Sequence, residues 1–317
     1  MKALLFLILP AVMIPIDSPL GQKLHREFQG EIMEEKKKVD MTEKPETIVS
    51  MFPYRKGFKC GYIDRKGNIV IQPEYGDAHP FSEGLAEVGL IDKFGFIDMK
   101  GNYVIYPMYD WTFPFSEGLA AVELKKKWGF IGKEGNIVIQ LAYDGAWSFS
   151  EGLAAVELKK KWGFIGKEGN IVIQPVYDLA GSFSEGLAGV KLNGKCGFID
   201  MKGNIVIQPI YDDASSFSEG LAAVELKGKS GFIDKRGNLV IQPVYDWAYS
   251  FSEGLAAVEL KKKWGFIDTK GNIIIQPTYD YADPFSDGAA LVMIRHRKVG
   301  YIDKKGKDIF CQYIEQH

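Results

Sequence analysis

SEGLAAVELKKKWGFIGKEGNIVIQ, residues 116–140, returns without a change at residues 150–174. So long an identity implies recent duplication, and it sends the reading outward in search of a period. A Gly followed by an aromatic residue and Ile stands at Gly61, Gly95, Gly129, Gly163, Gly197, Gly231 and Gly265, each 34 residues from the last. An eighth copy begins one residue late at Gly300, so residues 51–315 read as seven whole units and a part-unit.

Inside a unit, runs of β-branched and aromatic residues alternate with turn residues, the signature of short strands. Strand a is Trp128–Ile131 and strand b is Ile137–Gln140, joined by the turn Lys133-Glu134-Gly135-Asn136. A Pro follows strand b in six units (Pro73, Pro107, Pro175, Pro209, Pro243, Pro277), with Leu141 in its place in the third, and is expected to end the strand. A Tyr-Asp step, a variable loop and Phe-Ser-Glu-Gly lead to strand c, Leu153–Leu158, which turns directly into strand a of the next unit. Short connections make c, a and b an antiparallel three-stranded meander that straddles the repeat boundary, and residues 51–57 supply the first strand c. Trp128 with Phe130, and Ala120 with Val122 and Leu124, mark the expected core faces.

The fold class is therefore all-β. Thirty-four residues with a long loop leave room for three strands, whereas a typical propeller blade takes four strands and about 40–45 residues. The expectation is an open superhelical, solenoid-like array of meanders; a closed β-propeller of seven or eight small blades is the alternative.

These units resemble the WG (KWG) repeat family of bacterial proteins, through Lys-Trp-Gly-Phe-Ile at 127–131, 161–165 and 263–267 and through the Gly-Asn-Ile-Val-Ile-Gln-Pro, Tyr-Asp and Phe-Ser-Glu-Gly-Leu-Ala-Ala-Val segments. The resemblance implies a β-repeat module and brings no catalytic residues with it. The Trp is replaced by Cys60, Phe94, Cys196, Ser230 and Val299, so it reads as a packing residue.

Residues 1–18 pair Met1-Lys2 with an apolar run at 3–16, too short for the ~20 residues of a membrane-spanning helix, and read as a signal peptide or a short N-terminal anchor. The cleavage site is poor, with no Ala-x-Ala and with Pro19 after Ser18. Residues 19–50 are a polar, charged linker. The expected location is exported: periplasmic, cell-surface or secreted, or else anchored, with membrane contact only through residues 3–16 if they stay in place.

Lys and Arg number 39 against 41 Asp and Glu, which leaves no broad positive field, so nucleic acid is not an expected partner. With 46% hydrophobic residues, disorder is excluded. Four His and three Cys starve the chain of metal and acid-base machinery, and the Cys read as free thiols. Two acid series recur: Glu117, Glu151, Glu185, Glu219 and Glu253; and Asp110, Asp144, Asp178, Asp212, Asp246 and Asp280. Equivalent turns cannot give a catalytic pair its two unlike environments, and one carboxylate per unit falls short of the six to eight oxygens of calcium. No catalytic residue, metal or cofactor is expected.

The variable loop carries the remaining information. Two residues after the Tyr stand Asp77, Trp111, Gly145, Leu179, Asp213, Trp247 and Tyr281; four after it stand His79, Phe113, Trp147, Gly181, Ser215, Tyr249 and Asp283. A scaffold would repeat what it requires, so Trp111, Trp147, Trp247, Tyr249 and Tyr281 are the candidate contacts to a protein or glycan partner. The chain reads as a non-enzymatic binding scaffold, with a structural spacer or envelope component as the alternative. That these rings instead fill gaps between neighbouring loops stays open.

Overall fold

The computed structural model describes residues 51–294 and 298–313, all of them strands and turns. The expected N-terminal segment and linker, residues 1–18 and 19–50, lie outside the described residues.

Strands c, a and b form where the sequence places them. In one blade they are Leu119–Leu124, Lys127–Gly132 and Ile137–Tyr143. Phe52–Lys56 serves as the first strand c and pairs antiparallel with Lys59–Ile63. The c-to-a connection is a two-residue turn with Lys125 and Lys126 both at positive φ, 52° and 61°. Such turns match the strand twist but suit Asn-Gly best, and Asn193-Gly194 stands there two units on. A Lys at positive φ costs about 1–2 kcal/mol. The a-to-b turn is closed by its Asp: Asp200 Oδ1 accepts the amides of Lys202 and Asn204 at 2.9 and 2.8 Å.

The Gly of the Trp-Gly step is dictated by backbone. The register of a against b shifts between Trp128 and Phe130, and a Cβ on Gly129 would stand 2.6 Å from the Ile139 carbonyl oxygen. The Pro after strand b does not end it. Ile171–Tyr177 runs through Pro175, because b is the sheet's edge and the bulge leaves that residue without a ladder partner.

Each unit holds a fourth strand that the sequence did not reveal, two residues long and set in the variable loop. Gly145–Ala146 pairs with Glu157 and Val156 of strand c, and its equivalents recur in seven sheets. This strand d makes seven sheets four-stranded, in the order d, c, a, b; the first has c, a and b. The expected open array of three-stranded meanders is thereby corrected: the fold is a β-propeller of eight blades, the stated alternative. Thirty-four residues suffice because strand d needs only two of them.

Both faces of a blade are core, which widens the expected faces. Leu119, Ala121, Phe130 and Ile139 of the third blade pack on Ala146, Phe149, Ala154, Val156 and Ile165 of the fourth. The rings of Phe130 and Phe149 meet at 4.9 Å, and the same contact recurs down the array, as in Phe232–Phe251 at 4.8 Å. Among the described residues there is no single core, only a series of small ones between neighbours.

Candidate functional site

Strand register builds one row of side chains across each blade, because directly paired residues share a face. In the third blade the row is Trp111, Glu123, Trp128 and Tyr143. In the fourth it is Gly145, Glu157, Trp162 and Tyr177, and in the seventh Trp247, Glu259, Trp264 and Tyr279. The fifth and sixth replace the rings with Leu179, Lys191 and Cys196, then Asp213, Glu225 and Ser230.

The candidate aromatic residues meet these rows. Trp111 packs on Phe94 of the preceding blade at 5.3 Å, and Trp147 spans Phe113 at 5.6 Å and Trp162 at 6.2 Å. Phe113 in turn stacks on Trp128 at 5.4 Å, so four rings run Trp128, Phe113, Trp147, Trp162. Gly145 leaves the space this run uses: a Cβ there would stand 3.1 Å from the Trp162 ring and 3.2 Å from Glu157 Oε2. Tyr249 stacks on Trp264 at 5.2 Å and Tyr281 lies 6.0 Å from the same ring. The Tyr281 hydroxyl donates to Asp283 Oδ1 at 2.5 Å, a bond that pushes its own pKa up.

The five residues thus fall into two patches, on blades three and four and on blades seven and eight. Trp111, Trp147 and Trp247 remain 49%, 42% and 45% exposed, while Tyr249 and Tyr281 are half-buried. Sequence reasoning did not single out Glu123 and Glu157, which only register places beside the rings.

The recurring acids have structural partners. Glu117 accepts the Gly152 amide at 3.0 Å and pairs with Lys167 at 3.0 Å, one blade on; Glu185, with Gly220 and Lys235, does the same. The Lys235 hydrogen bond holds the Glu185 carboxyl below its usual range. Asp144 takes Lys127 Nζ from the third blade at 2.6 Å and the Lys159 amide of the fourth at 2.9 Å, again with a lowered pKa led by the Lys bond. The Asp thereby ties two blades together.

One interface is chemically unlike the rest. Glu87 and Thr112 stand where the next interface has Ala121 and Ala146, and they are 3% and 2% exposed. Burial pushes the Glu87 carboxyl up, against the pull of His79, whose Nε2 lies 3.7 Å from Glu87 and 3.5 Å from Asp77. The Thr112 hydroxyl, beside that carboxyl, makes no hydrogen bond of good geometry. Cys60 and Cys196 are buried free thiols.

The model of the WG-containing repeat matches at 61–92, 94–128, 128–162, 162–196, 197–229, 231–264 and 264–295. The chain belongs to that family. The WG repeat's Trp-Gly step is the bulge described above, its Gly set by backbone and its Trp by the ring contacts. No curated protein matches the chain.

Among solved structures, the dihydro-heme d1 dehydrogenase NirN in complex with DHE is similar over 87% of this chain and 76% of its own, at 12% identity and TM-score 0.57. BamB from Moraxella catarrhalis covers 88% of this chain and 96% of its own, at 13% identity and TM-score 0.50. The computationally designed Ika8 protein covers 84% and 97%, at 11% and 0.50. At such identities the WG-repeat array shares a fold with them and nothing further follows.

Proposed function

We propose that this WG-repeat propeller is a non-enzymatic, exported binding scaffold that holds a protein or glycan partner on the aromatic end of its blades. The observation that carries this reading is the ring run Trp128, Phe113, Trp147, Trp162, contributed by two blades, with the exposed Trp111 in the same cross-strand row as Trp128. Large exposed rings held by their neighbours offer contact area at small entropic cost. A second patch at Trp247 and Tyr249 adds avidity if one partner reaches both. The absence of enzyme activity is supported by the partners of the recurring acids, which are amides and lysines of the neighbouring blade. Export is supported by the apolar run at residues 3–16.

The test is binding of the labelled full chain to glycan and peptide arrays, beside the Trp111→Ala/Trp147→Ala/Trp247→Ala variant. The expected result is saturable signals that the variant loses while its melting temperature stays near that of the unaltered chain. A variant that keeps every signal places the surface elsewhere. A structural spacer would give no saturable signal at all.

A further inference from the structure

The blades that carry the rings also carry unpaired lysines at the same end. Strand c passes Glu123 and Leu124, turns through Lys125 and Lys126, and returns through Lys127 and Trp128. The turn therefore lies one to two residues beyond the aromatic row, about 7 Å at ~3.3 Å per residue, within reach of a flexible four-carbon stem. Lys127 and Lys161 are tied to Asp144 and Asp178. Among the described residues, the ammonium groups of Lys125, Lys126, Lys159 and Lys160 have no carboxylate within ion-pair distance, and all four residues are exposed.

These lysines also sit where backbone chemistry disfavours them. Lys126 and Lys160 have φ of 61° and 63°, at the turn position where the ring-poor fifth and sixth blades hold Gly194 and Gly228. The seventh blade, with Trp247, Tyr249 and Trp264, again has a lysine there, Lys262 at 61°. At this second turn position the strained lysine accompanies the aromatic patch and gives way to glycine where the patch is absent, although the first position keeps Lys227 at φ 53° in the sixth blade; the second lysine thereby points to a use in binding.

Rings and carboxylates then share the row, and the free ammonium groups lie beyond it at the turn tip. A ligand that fits all three has apolar faces, hydroxyl donors and separate negative charges. Sugar rings would present C–H faces to the aromatics, their hydroxyls would donate to Glu123 and Glu157, and acidic groups on them would meet the lysines. An acidic peptide could meet the lysines and the carboxylates but has no flat C–H ring faces repeated along its chain to lie on the aromatic rings.

We propose that the aromatic end of the third and fourth blades binds an acidic, uronate-bearing polysaccharide, through Trp111, Trp147, Glu123 and Glu157 and the four turn lysines. This rests on the reading of that end as the binding surface, and it names the partner.

The experiment is affinity electrophoresis of the full chain through gels containing polygalacturonate, alginate or hyaluronate, with fully methyl-esterified polygalacturonate and poly-L-glutamate as the uncharged and polypeptide probes. The expected result is retardation by an acidic polysaccharide that weakens with salt and falls about tenfold or more in affinity in the Lys125→Gln/Lys126→Gln/Lys159→Gln/Lys160→Gln variant. Lys126→Gly/Lys160→Gly, which adopts the turn residue of the fifth and sixth blades, should also lose affinity and cannot fail through turn strain. No retardation by any of the three acidic polysaccharides overturns the proposal, as does unchanged retardation of both lysine variants. Equal retardation by the methyl ester overturns the acidic ligand but spares the aromatic surface, provided Trp111→Ala/Trp147→Ala still abolishes it. Retardation by poly-L-glutamate alone overturns the glycan in favour of an acidic polypeptide.

Discussion

Lys127 Nζ lies 2.6 Å from Asp144 Oδ1, and this one ion pair ties the strand a of one blade to the link into the next. Asp178 and Asp246 have the same arrangement with Lys161 and Lys229, and all three carboxyls are held below their ordinary range, first by the Lys hydrogen bond. A lowered folded pKa gives stability that is complete above the unfolded value, near ~4, and is lost as pH falls through the folded one. Taken alone, these solvent-exposed pairs should leave the melting temperature level from neutral pH down to about 5 and lower it modestly below about 4. Thermal melts across that range check this, and Asp144→Asn should flatten the acid limb slightly.

Glu87 contributes with the opposite sign. Its raised pKa means that the folded state holds the proton more tightly, so its contribution is best below the unfolded value, about 4.3, and is lost as pH rises through the folded one. Glu87→Ala/Thr112→Ala restores the Ala pair of the next interface and removes a buried carboxyl together with a buried hydroxyl whose hydrogen-bond geometry is poor. At pH 8 the double variant should have the higher urea midpoint, and the gain should shrink toward pH 4. A lower midpoint at pH 8 would mean that the pair is a net stabiliser.

The repeat Trp should act by burial. Trp264 is 7% exposed between Tyr249 and Tyr281, so Trp264→Ala is expected to cost about 3–5 kcal/mol. Trp111, half exposed, should cost under about 1 kcal/mol on the same change. Chemical denaturation of the two variants measures the contrast; equal losses would contradict the separation of packing ring from surface ring.

Gly129→Ala should be among the worst substitutions in the chain. Its Cβ would meet the Ile139 carbonyl at 2.6 Å, and backbone cannot step aside as a side chain can. A loss of about 1–3 kcal/mol or more is expected. Gly152→Ala, where a Cβ meets nothing within 4 Å but φ is 83°, should cost about 1–2 kcal/mol, from the backbone term alone.

At the second turn position, Lys262→Gly should stabilise by about 1 kcal/mol, since φ is already 61°. Its melting temperature against the unaltered chain is the readout, and no rise would remove the claim of turn strain.

The strands were legible because three of them per unit are long enough to show apolar alternation, and the first, Phe52–Lys56, could be placed by period alone. Strand d was not. Two residues, as in Gly145–Ala146 or Leu179–Ala180, cannot display a period of two, and their identities change from unit to unit. The candidate residues were legible as variable aromatics, but their division into exposed Trp111, Trp147 and Trp247 and half-buried Tyr249 and Tyr281 depended on neighbours in other blades.

The sequence by itself determined the 34-residue unit, the all-β class, the c-a-b meander and the place of its turns, because these follow from local patterning and turn chemistry. The tertiary structure decided that the units are eight propeller blades and that the acids are latches: Glu117 finds Gly152 35 residues away and Lys167 50 away. It also decided which rings stack. Those pairings depend on how successive sheets face each other, and a strict repeat offers every copy the same local pattern without saying which neighbour its side chains will meet.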